Sequence, residues 1–290
     1  MSNPNSPSIR QASLKGHRGF YVGYGTHGGS WNNLAMAAGT MFNFTTVTPI
    51  ICAFTSSPGG GAADQNPPDL SVARSSFPAV AAMNASGQLF TLFAGGSNRI
   101  QMSDVVDIFY HSQLPPTTET LPDRLSLARQ GHAAVNVNNT YILFVGGTEL
   151  ANGSTASNVI DVFSVSTLRR IRTLSLLEPR KLAAAAALGP FVYIGGGSSQ
   201  IGILSVRSQT VEVIDTRSWG QFFAENLTVG AEAIGVVSTP IGVLFIGGYP
   251  ASNKIDVYSC GNGARYSDLH PVTASILIEV MSTFSRSLTV

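Results

Sequence analysis

The stretch Tyr141-Ile142-Leu143-Phe144-Val145-Gly146-Gly147, followed by Asn158-Val159-Ile160-Asp161-Val162-Phe163, decides the fold. Its first part reads as an apolar strand closed by a glycine pair, and its second as a strand with one acid embedded in it. Both parts return along the chain. Leu92-Phe93-Ala94-Gly95-Gly96 precedes Val105-Val106-Asp107-Ile108-Phe109, and Tyr193-Ile194-Gly195-Gly196 precedes Thr210-Val211-Glu212-Val213-Ile214. Phe245-Ile246-Gly247-Gly248 precedes Lys254-Ile255-Asp256-Val257-Tyr258. Near the N-terminus, Ala35-Met36-Ala37-Ala38-Gly39 keeps one glycine, and Ile50-Ile51-Cys52-Ala53-Phe54 has Cys52 in place of the acid.

A third landmark leads into each unit: Leu14 to Arg18, Leu70 to Arg74, Leu125 to Arg129 and Leu176 to Arg180, with Leu227 to Gly230 as a shortened version lacking the arginine. The step between units is about 50 residues, the length that four strands and their turns require. Small and β-branched runs such as Ala133-Val135-Val137 suit strands crowded at an axis. Turn chemistry at Asn84-Ala85-Ser86-Gly87, Asn136 to Asn139, Gly189-Pro190 and Ser238-Thr239-Pro240 separates the elements. No segment has helical spacing. The expectation is an all-β chain of five four-stranded antiparallel units, at 14–69, 70–124, 125–175, 176–226 and 227–268. Either a sixth is shared between 269–290 and the segment around Ser8 to Ala12, or the chain is a fragment of a longer array of such units.

The glycine pair after an apolar strand, then an acid-bearing strand ending in an aromatic, resembles the kelch motif. The closest likeness is to divergent kelch-type repeats with Leu-Ser-x-Ala-Arg and Asn-Val-Val-Asp-Ile-Tyr signatures, which here read Leu70-Ser71-Val72-Ala73-Arg74 and Asn158-Val159-Ile160-Asp161-Val162-Phe163. The likeness covers residues 70–260 well and 14–69 poorly. Kelch repeats usually carry a Trp in the outer strand, and only Trp219 lies near such a position. The resemblance implies a single β-propeller domain over 1–290, its blades set radially around a channel.

Composition narrows the function. Charged residues are 11% of the chain, against a usual level of about 25%, and the net charge is +1 with no basic block. A nucleic-acid surface would need clustered Lys and Arg, so none is expected. The N-terminal Met1-Ser2-Asn3-Pro4-Asn5-Ser6-Pro7 lacks the apolar core of a signal peptide. The charge-lean run from Leu182 to Ile203 is broken by Gly-Pro and three glycines, so it reads as two strands and a turn rather than a bilayer span. Asn-x-Ser/Thr triplets at Asn43, Asn84, Asn138, Asn152 and Asn226, with the low charge, suit an extracellular protein, so the compartment stays open.

Repetition assigns the recurring residues to the framework. Gly95, Gly96, Gly146, Gly147, Gly195, Gly196, Gly247 and Gly248 let the chain turn with positive φ and neighbouring units approach closely. No strand–loop–helix context or following Lys-Ser/Thr marks them as a phosphate loop. Asp107, Asp161, Glu212 and Asp256 each occupy the same place in a different unit, whereas a catalytic acid is needed once. Each is expected to be held by backbone N–H groups or by the lead-in arginine of its own unit: Arg74 with Asp107, Arg129 with Asp161, Arg180 with Glu212. The histidines show no metal-ligand spacing, and His132 could face the channel. Cys52 and Cys260 read as free thiols. Some kelch-type propellers are copper radical oxidases, but Tyr258 and Cys260 are not in that arrangement. No catalytic residue, metal or cofactor is assigned.

Specificity then falls to the connections between the second glycine and the acid, which vary in length (96 to 107, 147 to 161, 196 to 212, 248 to 256). They supply the candidate contacts Asn98, Arg99, Gln101, Glu149, Asn152, Gln200, Arg207 and Tyr249. The reading that leads is a non-catalytic module binding a protein or glycan on that loop face. The alternatives are a propeller enzyme with its site at the channel mouth, or a structural segment of a larger surface protein.

Overall fold

The computed structural model describes residues 34–43, 46–55, 69–98, 100–111, 118–149, 155–201, 204–239 and 242–258. Strands β1 (Leu34–Asn43) and β2 (Thr46–Thr55) form an antiparallel hairpin. The first four-stranded sheet runs β3 (Ala79–Met83), β4 (Leu89–Ala94), β5 (Val106–Tyr110) and β6 (Thr118–Thr120); the second runs β7 (Ala133–Val137), β8 (Tyr141–Val145), β9 (Val159–Ser164) and β10 (Arg170–Ser175). The third has β11 (Ala184–Leu188) and β12 (Phe191–Gly195), then β15 (Val211–Asp215) and β16 (Gly220–Phe223). Inserted between β12 and β15 is a separate hairpin of β13 (Ser198–Ile201) and β14 (Leu204–Arg207). A fourth sheet contains β17 (Gly235–Thr239), β18 (Gly242–Ile246) and β19 (Ile255–Tyr258). The chain is all-β, and no helix occurs among the described residues.

Each sheet is a meander of its own strands, interrupted in the third by the inserted β13–β14 hairpin, and all pairings are antiparallel. The first strands β3, β7, β11 and β17 lie side by side in that order. Burial falls outward: β8 and β9 are nearly all buried, whereas the fourth strands β10 and β16 are largely exposed.

The core lies between sheets. Strand period two sends Ala134, Ile142 and Phe144 toward Leu92 and Ile108 of the sheet before, while Val135, Leu143 and Val145 pack with Val192 and Ile194 of the sheet after. Tyr193 and Val213 likewise meet Val236 and Phe245. Both faces of each inner sheet are covered, so these strands read as continuous apolar runs rather than alternating ones. Trp219 braces two sheets at the rim: its ring meets Tyr141 edge-on at 5.1 Å and lies 5.3 Å from the Arg172 guanidinium.

Three expectations need correction. Gly39 sits inside β1 opposite Ile50, so the first unit has no glycine break at that strand end. The run Leu182 to Ile203 supplies β11, β12 and β13, three strands instead of two. The lead-in at Leu227 is full length: Ala231, not Gly230, occupies the place of Arg74, Arg129 and Arg180, because its carbonyl receives the Gly197 N–H as those of Arg129 and Arg180 receive Gly96 and Gly147. Residues 1–33 and 259–290, with the proposed shared sixth unit, lie outside the described residues.

Candidate binding face at the glycine pairs

The acids come first, because their geometry decides whether they are free for chemistry. Asp107 lies on β5 opposite Phe93, and Asp161 on β9 opposite Phe144, both fully buried. Asp107 Oδ2 accepts from the Ser71 N–H at 3.0 Å and Arg74 Nη1 at 2.9 Å; its Oδ1 accepts from Ser71 Oγ at 2.7 Å and Thr120 Oγ1 at 2.9 Å. Asp161 repeats the pattern with Ser126 N–H at 3.0 Å and Arg129 Nη1 at 2.8 Å on Oδ2, and Arg170 and Thr173 each at 3.3 Å on Oδ1. The second arginine nitrogen donates to the carbonyl of Phe93 or Phe144. One guanidinium thus ties the lead-in, the second strand and the third strand together.

The third sheet breaks the pattern. Glu212 is buried and its Oε2 accepts the Leu177 N–H at 3.0 Å, but Arg180 does not pair with it. Arg180 Nη1 instead donates to the carbonyls of Gly196 and Thr210, and Nη2 to Thr210 Oγ1 at 2.7 Å and Glu178 Oε2 at 3.2 Å. Glu212 Oε1 is buried without a hydrogen-bond partner. Burial, against the opposing Leu177 N–H and Arg180 charge, pushes this carboxyl up to about 7. In the fourth sheet Asp256 again accepts from the lead-in, through the Thr228 N–H and Oγ1. The element shared by all four sheets is therefore the N–H after the lead-in leucine. The arginine adds to it in two.

The glycine pairs are joints between sheets. Gly95 and Gly96 have φ of +65° and +95°, Gly146 and Gly147 +66° and +108°, Gly247 and Gly248 +66° and +106°. In the third sheet the positive-φ pair is Gly196 and Gly197, one residue later than the sequence alignment placed it. Gly195 closes β12 and is small for another reason: a Cβ there would stand 2.6 Å from the Phe245 ring. The second glycine N–H donates to the next lead-in: Gly96 to Arg129, Gly147 to Arg180, Gly197 to Ala231. Two residues beyond, Gly131 N–H donates to Ser76 O, Leu182 to Gly131 and Ala233 to Leu182. Ser76, Gly131, Leu182 and Ala233 all hold φ between 53° and 61°. One backbone chain thus links four successive sheets at the same end of the molecule.

Several of the expected contact positions fall on segments at this end. Asn98 and Gln101 share a tight turn in which Asn98 Oδ1 accepts the Ile100 and Gln101 N–H groups at 3.0 and 2.8 Å. Glu149 starts the next connection, its N–H on Thr155 O. Gln200 lies in β13 opposite Ser205. Arg99 and Asn152 lie outside the described residues. Arg207 and Tyr249 come together: the guanidinium sits 4.7 Å from the Tyr249 ring centroid, and Arg207 Nε lies 3.7 Å from Glu232 Oε1. Glu232 Oε2 accepts from Ser198 Oγ. Tyr249 is 60% exposed. Glu232 carries no repeat signal when the lead-in is read as ending at Gly230; with Ala231 in register it follows Ser75, Gln130 and Lys181 at one repeated position. Each of these four bridges to the residue after a glycine pair, Ser97, Thr148, Ser198 and Tyr249.

His132 does not face a channel. It is packed between the Gly95 turn and Phe144, with its ring edge-on to Phe144 at 5.9 Å. Burial and the nearby Arg129 charge hold its pKa well below the ordinary value, so it is neutral at pH 7. Among the described residues no group of three or more His, Cys, Asp or Glu stands where it could hold a metal ion.

No protein-family model and no curated protein matches the chain. The solved structure of YjhT is similar in fold, with a TM-score of 0.57 at 10% identity over 80% of this chain and 78% of that chain. At that identity the likeness speaks for the fold alone.

Proposed function

We propose that the chain is a kelch-like β-propeller acting as a non-catalytic binding module, which presents its glycine-pair face to a protein or glycan partner. The observation that carries this reading is the contrast between a repeated frame and unrepeated connections. The lead-in N–H, the acid and the glycine joint recur from sheet to sheet, while the segments after the glycines take different forms. The first sheet has a tight turn at 98–101, the third a hairpin at 198–207, and the fourth the exposed Tyr249. Asp107 and Asp161 have all their oxygens occupied by the frame, so they have no free lone pair for proton transfer. Arg207, stacked on Tyr249 and braced by Glu232, is a pre-ordered contact: a flat aromatic surface and a fixed cation at little entropic cost on binding.

The test is affinity capture with wild type, a variant in which 200–205 is replaced by a two-residue turn, and Tyr249→Ala. Retention by wild type and loss by both variants, with unchanged thermal unfolding, supports the reading. Periodate oxidation of the captured material separates the two partner classes, since it destroys a glycan and spares a protein surface. Equal capture by all three proteins overturns the assignment of the face.

A further inference from the structure

The third sheet holds an arginine within reach of two acids. Glu178 is on the surface and now receives Arg180 Nη2; Glu212 is in the core with one oxygen unmet. The sheets before it show the other place such an arginine can occupy. There the guanidinium bridges the strand acid and the carbonyl opposite it, that of Phe93 or Phe144, and the corresponding residue opposite Glu212 is Ile194. We propose that Arg180 is shared between Glu178 and Glu212 and that the ionisation of Glu212 decides which of them holds it, making the third sheet a proton-sensitive latch at the root of the 198–207 hairpin.

The latch is built from the residues that Arg180 now ties together. Glu178 Oε2 accepts from Arg180, from Thr210 Oγ1 at 2.8 Å and from Ser208 Oγ at 3.3 Å. Ser208 and Thr210 follow directly on Arg207, the last residue of β14, and lead into β15. Ser208 N–H closes the hairpin base on Gly197 O at 2.9 Å, and Thr210 N–H bonds Ser208 Oγ at 3.1 Å. The root of the hairpin is thus fastened to the lead-in through Arg180 and Glu178.

A neutral Glu212 leaves this arrangement undisturbed. An ionised Glu212 is a buried charge with an unpartnered oxygen, whereas Glu178, with its side chain 45% exposed, can exchange the buried Arg180 for water at small cost. The arginine then moves inward, releasing Thr210 and Glu178. Among the described residues the charges that act on Glu212 are Arg180 and Glu178, both on the lead-in. The flanking strands present Ile194 from β12 and Phe223 from β16, and neither strand carries a charged residue. The neutral-range titration of Glu212 places the exchange between mildly acidic and mildly alkaline conditions. This inference deepens the binding reading, since the hairpin carries Arg207, but its readouts need no partner.

Two measurements test it on the full chain. In the first, hydrogen exchange of the Ser208 and Thr210 amides is followed at pH 6 and pH 8 and corrected for intrinsic rates. Wild type is expected to lose protection by more than about tenfold across that interval, and Glu212→Gln, neutral throughout, to lose none. Glu178→Gln, which removes the outer acid, is expected to exchange fast at both pH values. The second is the carboxyl carbon signal of Glu212, expected to titrate near neutrality. Protection in wild type that does not change with pH, or that changes equally in Glu212→Gln, overturns the latch. A carboxyl midpoint below 5 overturns it too. A latch that behaves as stated in a protein that captures nothing breaks the binding reading alone.

Discussion

The second and third sheets carry the same device in two states. In the second, Asp161 is short enough for the lead-in N–H and the arginine to share one oxygen, while Arg170 and Thr173 take the other. In the third, the glutamate is longer by one methylene, its Oε2 takes the N–H alone, and Arg180 has turned to Glu178 and Thr210. The longer side chain, Phe223 in place of a hydroxyl opposite the acid, and the competing Glu178 and Thr210 together separate a closed ion-pair network from a buried carboxyl of raised pKa. The frame survives because it does not depend on the pair: the Leu177 N–H and the Arg180 carbonyl, which receives Gly147, are backbone groups.

The comparison is broken most directly by removing each arginine. Arg129→Met leaves Asp161 buried with its strongest partner gone, and is expected to destabilise by about 3–5 kcal/mol. Arg180→Met strands no ionised core acid, and is expected to cost about 1–2 kcal/mol, the scale of its lost hydrogen bonds. Urea unfolding of both variants at pH 6 checks the ratio; equal losses would mean that the two acids are in the same state. Gly146→Ala attacks the joint rather than the pair. Its Cβ would stand 2.4 Å from Arg180 O at φ of +66°, so about 2–4 kcal/mol is expected from strain and displaced backbone.

The pH dependence sharpens the comparison. With a folded pKa of about 7 and an ordinary value of 4.5, Glu212 holds more proton in the native state than in the unfolded one between those limits. Stability from this group is therefore full below pH 4.5, falls as pH rises, and levels off above 7. The loss is expected to be about 1–3 kcal/mol. In Glu212→Gln the decline between pH 5 and pH 7.5 should flatten, as read from urea midpoints at each pH. An unchanged slope would show that another group carries it.

The sheets were readable in the sequence because each is a run of apolar residues ended by glycines, and burial on both faces leaves little room for other patterns. The common place of the acids was readable for the same reason: Asp107, Asp161, Glu212 and Asp256 recur at one position of the repeat. What the pattern could not supply was register to a single residue. Three glycines in a row at Gly195, Gly196 and Gly197 admit two alignments, and only the positive φ of the last two and the Phe245 ring against the first decide between them. Ala231 was hidden because alanine carries no signal, and with it went Glu232. The absence of an Arg180–Glu212 pair was not legible either. Spacing shows which residues can meet, but the competition from Glu178, Ser208 and Thr210 arises only once the hairpin folds back on the lead-in.

The smallest expected effect concerns the hydroxyls on the two aspartates. Thr120 Oγ1 donates to Asp107 Oδ1 at 2.9 Å and shares that oxygen only with Ser71 Oγ. Thr173 Oγ1 reaches Asp161 Oδ1 at 3.3 Å, where Arg170 already supplies a charge. Thr120→Val should cost about 1.5 kcal/mol, the lower end for a bond to a charged group, and Thr173→Val about 0.5 kcal/mol. Both valines keep shape and β-propensity, so the difference isolates the hydroxyl. Adding Arg170→Ala to Thr173→Val should raise the cost of the threonine change toward that of Thr120→Val, because Oδ1 of Asp161 would then be without a donor. A double-mutant cycle by urea unfolding measures that coupling, and strict additivity would mean that Arg170 gives Oδ1 nothing.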